Sequence, residues 1–204
     1  MPQQNDQMGI FDAMYNCRAM RRIKPDEVPE ELLVKLIEAA GKGPTASNTQ
    51  VSRWLVIRDY EVKQKLADIN RAAIDRSYPA PPADAPKSAF QWQYEHLQDV
   101  PALIIACVQL PRGQQQQTFT SGLGLGGSIW PGIQNLLLAA RALELGACPT
   151  TLPLADRSAA KAAMRLPDHI EPVCLIPVGY PKGRFGPVTR RPVEEIMRWD
   201  HWQN

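Results

Sequence analysis

The sequence lacks a long apolar run: no stretch of its 204 residues approaches the roughly 18 uninterrupted apolar residues that a membrane span requires. Its first seven residues are polar and lack the apolar core of a secretion signal, so we expect a cytoplasmic protein that engages no membrane. The formal net charge is only +2 and the basic residues are dispersed, which argues against nucleic acid as a partner.

Residues that commonly carry enzyme chemistry are also scarce. The four cysteines lie far apart without the spacing of a zinc site or a redox dithiol, so we expect reduced thiols in or near the core. The three histidines show no metal-binding spacing, and we expect no metal. Ser121 and Ser128 lack the GxSxG setting that exposes a nucleophile. No catalytic acid, base or nucleophile is therefore evident.

The composition is that of an ordinary globular protein, with 44% hydrophobic and 22% charged residues. A chain of this length can bury roughly 70% of the surface that its unfolded form exposes. We therefore expect residues 1–204 to form a single domain that folds without disulfides.

Hydrophobic periodicity predicts helices and strands that alternate irregularly. The longest of the helices is apolar on nearly every side and should be central and surrounded by protein. The predicted helices cover residues 29–42, 61–76, a short segment around 92–96, 129–145, 157–165 and 193–199, and the predicted strands cover 54–57, 102–108 and 173–180.

Two segments should depart from the main body. Four prolines between residues 79 and 86 cannot be helical, so we expect an excursion at about residues 77–100, which is either a lid over a pocket or a packed surface flap. Residues 181–204 have too little apolar content for a core of their own. We expect them to form an arm that wraps over the body or over a partner subunit.

A glycine-rich segment at residues 122–127 formally satisfies the dinucleotide-binding fingerprint. In that motif, however, the first glycine directly follows a strand, whereas here eleven residues separate the two. The following strand also carries no acidic residue for the ribose. We therefore interpret the segment as a flexible loop that caps the central helix, with Ser128 as a candidate N-cap.

Two polar segments flank the first long helix, and together they suggest a site for a phosphate and a polar ring. Residues 18–25 are rich in arginine, whose planar guanidinium is suited to phosphate. Residues 43–50 supply hydroxyl and amide groups suited to a heterocycle. Arg190 and Arg191 near the other end could meet the first segment in space and help to hold one small anion. A site of this kind without catalytic side chains is typical of proteins whose cofactor carries the chemistry, and flavin is such a cofactor.

Four blocks in matching order, spanning residues 18 to 199, resemble the nitroreductase family of FMN-dependent NAD(P)H oxidoreductases. They are the arginine-rich opening with Val28-Pro29-Glu30, the segment 44–50, the helix around Gln134-Asn135, and Val178-Gly179-Tyr180-Pro181 leading to Arg190-Arg191-Pro192. The chain departs from the family where Ala19 replaces a common serine and where Val51-Ser52 replaces a common Pro-Trp. These changes, with the proline-rich insertion, leave the substrate open.

The resemblance implies an α+β fold with a central, mostly antiparallel sheet flanked by helices, in an intertwined homodimer with two FMN molecules at the subunit interface. Arg18 and Arg191, with Arg190, would hold the phosphate, and Arg21 would approach the pyrimidine edge of the flavin. Residues 44–48 of the other subunit would add further contacts to the flavin. Residues 149–151 form a third group, which would lie along the flavin ring. The predicted cofactor-binding residues are Arg18, Ala19, Met20, Arg21, Pro44, Thr45, Ala46, Ser47, Asn48, Pro149, Thr150, Thr151, Arg190 and Arg191.

The resemblance also implies a function: transfer of hydride from NADH or NADPH through FMN to a small oxidised acceptor such as a nitroaromatic or a quinone. Three alternatives stay open. They are a flavin-fragmenting or dehalogenating enzyme on the same scaffold, a non-catalytic protein that binds or stores FMN, and an interaction protein that uses its tryptophan-rich tail.

Overall fold

A computed structural model describes residues 8–78, 88–110 and 123–202, apart from the side chains of residues 123–125. Helices and a sheet alternate along the chain, as the sequence predicts. The helices are α1 (Ile10–Asn16), α2 (Glu30–Gly41), α3 (Tyr60–Ser77), α4 (Ala89–His96), α5 (Leu123–Ala142), α6 (Arg157–Ala163) and α7 (Val193–Ile196), and the strands are β1 (Ser52–Ile57), β2 (Ala102–Gln109), β3 (Gly146–Ala147) and β4 (Ile170–Gly179).

The four strands form one sheet in the order β1-β2-β4-β3, and every pairing between neighbours is antiparallel. This confirms the predicted α+β class with an antiparallel sheet. The pairing of β2 with β4 shifts register between Ala106 and Cys107. Because β2 lies between two strands and beneath helices on both sides, it is apolar throughout rather than alternating.

Side chains alternate between the two faces of β2 and so contribute to two separate cores. Ile104 and Val108 face a core formed with α2 and α5. Leu103 and Ile105 face a second core formed with α3 and α6. The sheet is therefore the middle of three layers, with α2 and α5 on one face and α3 and α6 on the other.

The first helical layer depends on two glycines. A Cβ atom built on Gly43 would lie 2.5 Å from the backbone nitrogen of Gly132, and one on Gly132 would lie 2.7 Å from the carbonyl oxygen of Ala40. The end of α2 thus packs directly against the backbone of α5. This contact sets the position of the chain that follows Gly43, which is the predicted ring-binding loop.

The central helix differs from its prediction in two ways. It begins at Leu123, so residues 123–128 are helical rather than a capping loop, and Ser128 is not an N-cap. It ends at Ala142 and leaves Trp130 45% exposed, so one stripe of α5 is open in the single chain rather than surrounded by protein. Glycines in the first turns obscured the start of the helix, because their helix propensity is poor.

Two further helices, α1 and α4, add to what the sequence predicted. Helix α1 was not predicted from the sequence, since it spans only seven residues and buries one of them, Ala13. Helix α4, in the predicted excursion, packs on α3, where Arg71 donates to the backbone carbonyl of Tyr94 (3.5 Å). Residues 79–87 lie outside the described part of the chain, so closure of the excursion over a pocket stays a prediction.

Among the described residues, no helix is long and apolar enough to cross a membrane.

The cysteines are free thiols, three buried and one half-buried, as predicted. Burial raises the pKa of Cys107 and of Cys174 to about 12, from an ordinary value of 9.0. Above pH 9 the unfolded thiols therefore lose protons that the folded thiols still hold, which favours unfolding. The stability that depends on these protons is complete below pH 9 and is lost as the pH rises toward 12.

We therefore expect the free energy of unfolding to fall by roughly 1 kcal/mol for each thiol between neutral pH and about pH 10. Urea unfolding at several pH values measures this, with the Cys107→Ala/Cys174→Ala variant as the control. Each protein is compared with its own value at neutral pH, since the substitutions also alter packing. An equal alkaline loss in both proteins would show that other groups cause it.

Candidate functional site

The arginine-rich segment lies along the sheet edge and along the C-terminal segment. The backbone N–H of Met20 donates to Ala147 in β3 (3.1 Å), and that of Lys24 donates to Tyr180 at the end of β4 (2.7 Å). Further along, Lys182 donates to Arg22 (2.8 Å). Residues 20–24 and residues 180–182 therefore run side by side, and the meeting of Arg18 with Arg190 and Arg191 stays a prediction.

This close approach needs glycine on the sheet. A Cβ atom on Gly146 would lie 2.8 Å from Ile23 and 3.0 Å from the Cβ of Met20, and one on Gly179 would lie 2.5 Å from Ile23. Ile23 and Met20 are both buried in the second core. Consequently, the segment is held flat against β3 and β4, while Arg18 and Ala19 remain exposed.

The arginines of the predicted site form no ion pair within the described part of the chain. Arg18, Arg190 and Arg191 are exposed and Arg21 is half-buried. Arg21 lies close enough to Cys148 to lower the pKa of that thiol, against the larger effect of burial, which raises it. Arginines without a carboxylate partner among the described residues are available to a bound anion.

The third predicted group follows β3 directly. Thr150 exchanges both of its backbone hydrogen bonds with Leu175, so its peptide groups are already occupied. The carbonyl of Thr151 accepts from Leu154 (2.9 Å), whereas its N–H has no partner among the described residues. Thr151 thus offers one backbone donor that is unused among the described residues. Met20 differs from its neighbours because its side chain lies in the core, so any contact with a cofactor would come from its backbone.

The predicted ring-binding loop has an unusual backbone. Ser47, Asn48 and Gln50 all have positive φ, at 49°, 52° and 48°. Such conformations are uncommon for residues other than glycine and are concentrated at functional sites. Two hydrogen bonds hold the loop: Ala46 N–H donates to the hydroxyl of Ser128 (3.1 Å), and Gln50 N–H donates to the hydroxyl of Thr45 (3.1 Å).

The same helix shows how far apart the two halves of the predicted site lie. The loop is anchored at Ser128 of α5, whereas Cys17, next to Arg18, donates its thiol to the carbonyl of Leu137 (3.7 Å). Leu137 follows Ser128 by nine positions in the helix, which is about 14 Å along the axis. Within one chain, therefore, α5 holds the loop and the segment before Arg18 at two separate places along its length.

Two cavities of the single chain lie elsewhere, and no predicted site residue lines either of them. The larger, of about 590 Å³, lies beside α6 and is lined by Arg157 and Lys161. The other, of about 390 Å³, lies between α3 and α4 beneath Trp92. The cations of the larger cavity already pair with the buried Glu171, at 2.9 and 2.7 Å. We therefore assign neither cavity to the predicted site.

Large apolar side chains are exposed around the predicted site. They occur on α1, on the open stripe of α5 and along the C-terminal arm, where Trp199 is 78% exposed. Apolar surface of this extent is typical of an interface between proteins. The exposed side chains are Ile10, Phe11, Met14, Tyr15, Trp130, Val193, Ile196, Met197, Trp199 and Trp202.

Sequence reasoning missed two contributors. Ser128 is the anchor of the ring-binding loop rather than a helix cap, and no local signal reveals a partner 82 positions away. Arg141 lies beside Cys17 and over the ring of Phe185, at the junction of the two chain ends. The sequence feature that could have indicated Arg141 is a single arginine near the end of an apolar helix.

An antiparallel sheet between two helical layers, with an arginine-rich segment paired along its edge, defines an α+β protein with a candidate anion site. The model of the nitroreductase family matches residues 16–180. The chain belongs to the nitroreductase family, and the prediction from its sequence is confirmed.

Relatives agree with this assignment. An NADH dehydrogenase of Thermus thermophilus is 30% identical over 195 residues, which cover 89% of this chain and 91% of that protein. A Methanothermobacter thermautotrophicus protein, provisionally named NADH dehydrogenase/NAD(P)H nitroreductase, is 30% identical over 176 residues, covering 85% of this chain and 78% of that protein. The structure of an iodotyrosine deiodinase bound to FMN and 3-iodo-L-tyrosine shares the fold, with a TM-score of 0.75, 20% identity and coverage of 95% and 100%.

Proposed function

We propose that the protein is an FMN-dependent oxidoreductase that takes hydride from NADH or NADPH and passes it to a small oxidised acceptor, such as a nitroaromatic or a quinone. The observation that carries the proposal is the membership of the chain in the nitroreductase family, and it is supported by arginines near both chain ends that form no ion pair among the described residues. The names of the relatives, which include NADH dehydrogenase and NAD(P)H nitroreductase, support the choice of donor.

The residues present fit a flavin mononucleotide. Arg18, Arg190 and Arg191 would hold its phosphate, because guanidinium groups bind phosphate through paired, charge-assisted hydrogen bonds. Arg21 would lie at the pyrimidine edge, where a cation stabilises negative charge on the ring. Thr151 would donate its free N–H to a ring atom. When bound, FMN supplies the hydride chemistry, which explains why no side chain is assigned as a catalytic acid, base or nucleophile.

We further propose that the active form is a homodimer in which each site uses both chains. In one chain, the points at which α5 holds the loop (Ser128) and the segment before Arg18 (Leu137) lie about 14 Å apart along the helix axis, so a loop from a second copy would complete the site near the arginines. The exposed apolar side chains of α1 and of the arm provide a surface for that copy. The four free cysteines fit a reducing compartment such as the cytoplasm.

Three measurements on the purified protein test the proposal. We expect a yellow protein that releases FMN on denaturation, a mass in solution of twice 22.7 kDa, and bleaching of the flavin by NADH or NADPH without oxygen. Flavin that stays oxidised with both nucleotides would instead support a binding or storage protein. A colourless protein that retains a partner through its tail would support an interaction protein.

Reductive dehalogenation of an aromatic is a second candidate, because the structural neighbour that holds FMN is an iodotyrosine deiodinase. The two enzyme functions separate in one experiment, in which the reduced protein is offered 3-iodo-L-tyrosine or a nitroaromatic. If the protein releases iodide at a rate comparable to the rate at which it reduces the nitroaromatic, the deiodinase function is favoured. Turnover of the nitroaromatic alone is the result that we expect.

A further inference from the structure

Arg141 lies at the junction of the two chain ends, and none of the proposed cofactor contacts uses it. It lies in the last turn of α5 with a half-buried side chain, and its Nε is buried without a hydrogen-bond partner among the described residues. Leaving a buried donor unpaired costs on the order of 1–3 kcal/mol. A side chain kept at such a cost needs a compensating interaction.

The contacts of Arg141 lie on both of the segments that carry the predicted phosphate ligands. Its guanidinium carbon lies 4.2 Å from the centre of the Phe185 ring, in the C-terminal segment. Its charge lowers the pKa of Cys17, which burial raises by a larger amount, so Arg141 is also close to the N-terminal segment. Cys17 precedes Arg18 directly, and Phe185 precedes Arg190 by five residues.

Physical factors favour a cation at this place. The carboxyl end of a helix attracts positive charge, and the face of an aromatic ring attracts a guanidinium. Beyond Phe185, the segment is held to the N-terminal region by the bond from Val188 N–H to the carbonyl of Tyr15 (2.9 Å). After that bond, residues 193–202 are exposed, so the contacts at Phe185 and Val188 determine where Arg190 and Arg191 point.

We propose that Arg141 is a positioning residue: by stacking on Phe185, it fixes the C-terminal segment so that Arg190 and Arg191 face the same phosphate as Arg18. The inference rests on the proposed function, since it concerns the phosphate of the same flavin. It assigns to Arg141 no contact with the cofactor itself. The stack acts on the phosphate ligands and leaves the ring contacts at Arg21 and Thr151 unchanged.

Binding of FMN and of riboflavin to the apoprotein tests the proposal, because riboflavin carries the same ring without the phosphate. We expect Arg141→Ala and Phe185→Ala each to weaken FMN binding about tenfold and riboflavin binding less than twofold. The double variant should be no weaker than either single variant, since the two residues act through one contact. Flavin fluorescence gives both affinities, and trypsin cleavage after Arg190 in the apoprotein should accelerate in all three variants.

The outcomes separate the inference from the proposed function. If the wild-type apoprotein does not bind FMN, the proposed function fails. If it does, and Arg141→Ala binds FMN as wild type does, or loses FMN and riboflavin equally, only the positioning role is overturned. Arg76→Ala, an exposed arginine at the end of α3, is the matched control and should change neither affinity. Should Arg141→Ala not fold, Phe185→Ala and the milder Phe185→Leu carry the same expectation.

Discussion

Replacing Arg18 with alanine is expected to weaken FMN binding by about 30-fold, which corresponds to about 2 kcal/mol. The side chain is exposed, extends from a segment fixed to β3 by the Met20 hydrogen bond, and has no ion-pair partner in the described residues. Its guanidinium would therefore be free to bind the phosphate, and a hydrogen bond between charged groups contributes about 1.5–3 kcal/mol. The measurement is titration of the apoprotein with FMN at constant ionic strength.

Lys24→Ala is the matched control for this experiment. Lys24 is an exposed cation on the same segment, and the proposed site does not use its side chain. We expect the control to change FMN affinity by less than threefold and both variants to unfold at the wild-type urea concentration, because both side chains are exposed. Wild-type affinity in Arg18→Ala would remove Arg18 from the phosphate site, and an equal loss in Lys24→Ala would indicate general attraction of an anion.

Replacing Gly43 with alanine is expected to lower the free energy of unfolding by about 3 kcal/mol, the upper part of the range for overpacking. The added methyl group would lie 2.5 and 2.7 Å from the backbone N and Cα of Gly132, and backbone atoms of a central helix cannot move aside as a flexible side chain can. Helices α2 and α5 would have to separate. Urea unfolding of the flavin-free protein measures the loss directly.

The chain offers a close control two residues earlier. A Cβ atom on Gly41, the last residue of α2, meets nothing within 4 Å, so Gly41→Ala should be neutral or stabilise by up to about 1 kcal/mol through helix propensity. Equal effects of the two substitutions would contradict the proposed close packing. If Gly43→Ala folds, we also expect weaker FMN binding, because the substitution displaces the loop that begins at Pro44.

Most of the elements were predictable because their periodicity is strong. The pattern of α2 and the continuous apolar run of β2 each depend on the side chains of a single segment, and both appear within two residues of their predicted bounds. Helix α1 and the first turns of α5 were not predicted. The apolar side chains of α1 are mostly exposed in the single chain, and the start of α5 is rich in glycine, so tertiary contacts override weak local preference there.

The candidate site was predicted only as a set of residue types. The sequence supplies arginines near both ends and a polar loop after α2, and the order of these blocks predicted the family correctly. It could not show that the side chain of Met20 is buried, that Ser128 holds the loop, or that Arg141 stacks on Phe185. Each of these facts depends on which side of an extended segment or helix faces a distant neighbour.

The sequence by itself determined the fold class, the family and the kinds of group available to a cofactor, because these follow from local periodicity and from the order of short motifs. The tertiary structure decided where those groups lie. Backbone pairing of residues 15–24 with residues 180–188 joins the two chain ends, and α5 holds the ring-binding loop at Ser128 and the segment before Arg18 at Leu137, about 14 Å apart along its axis. Position in space depends on contacts between residues far apart in sequence, and a single sequence does not specify those contacts one by one.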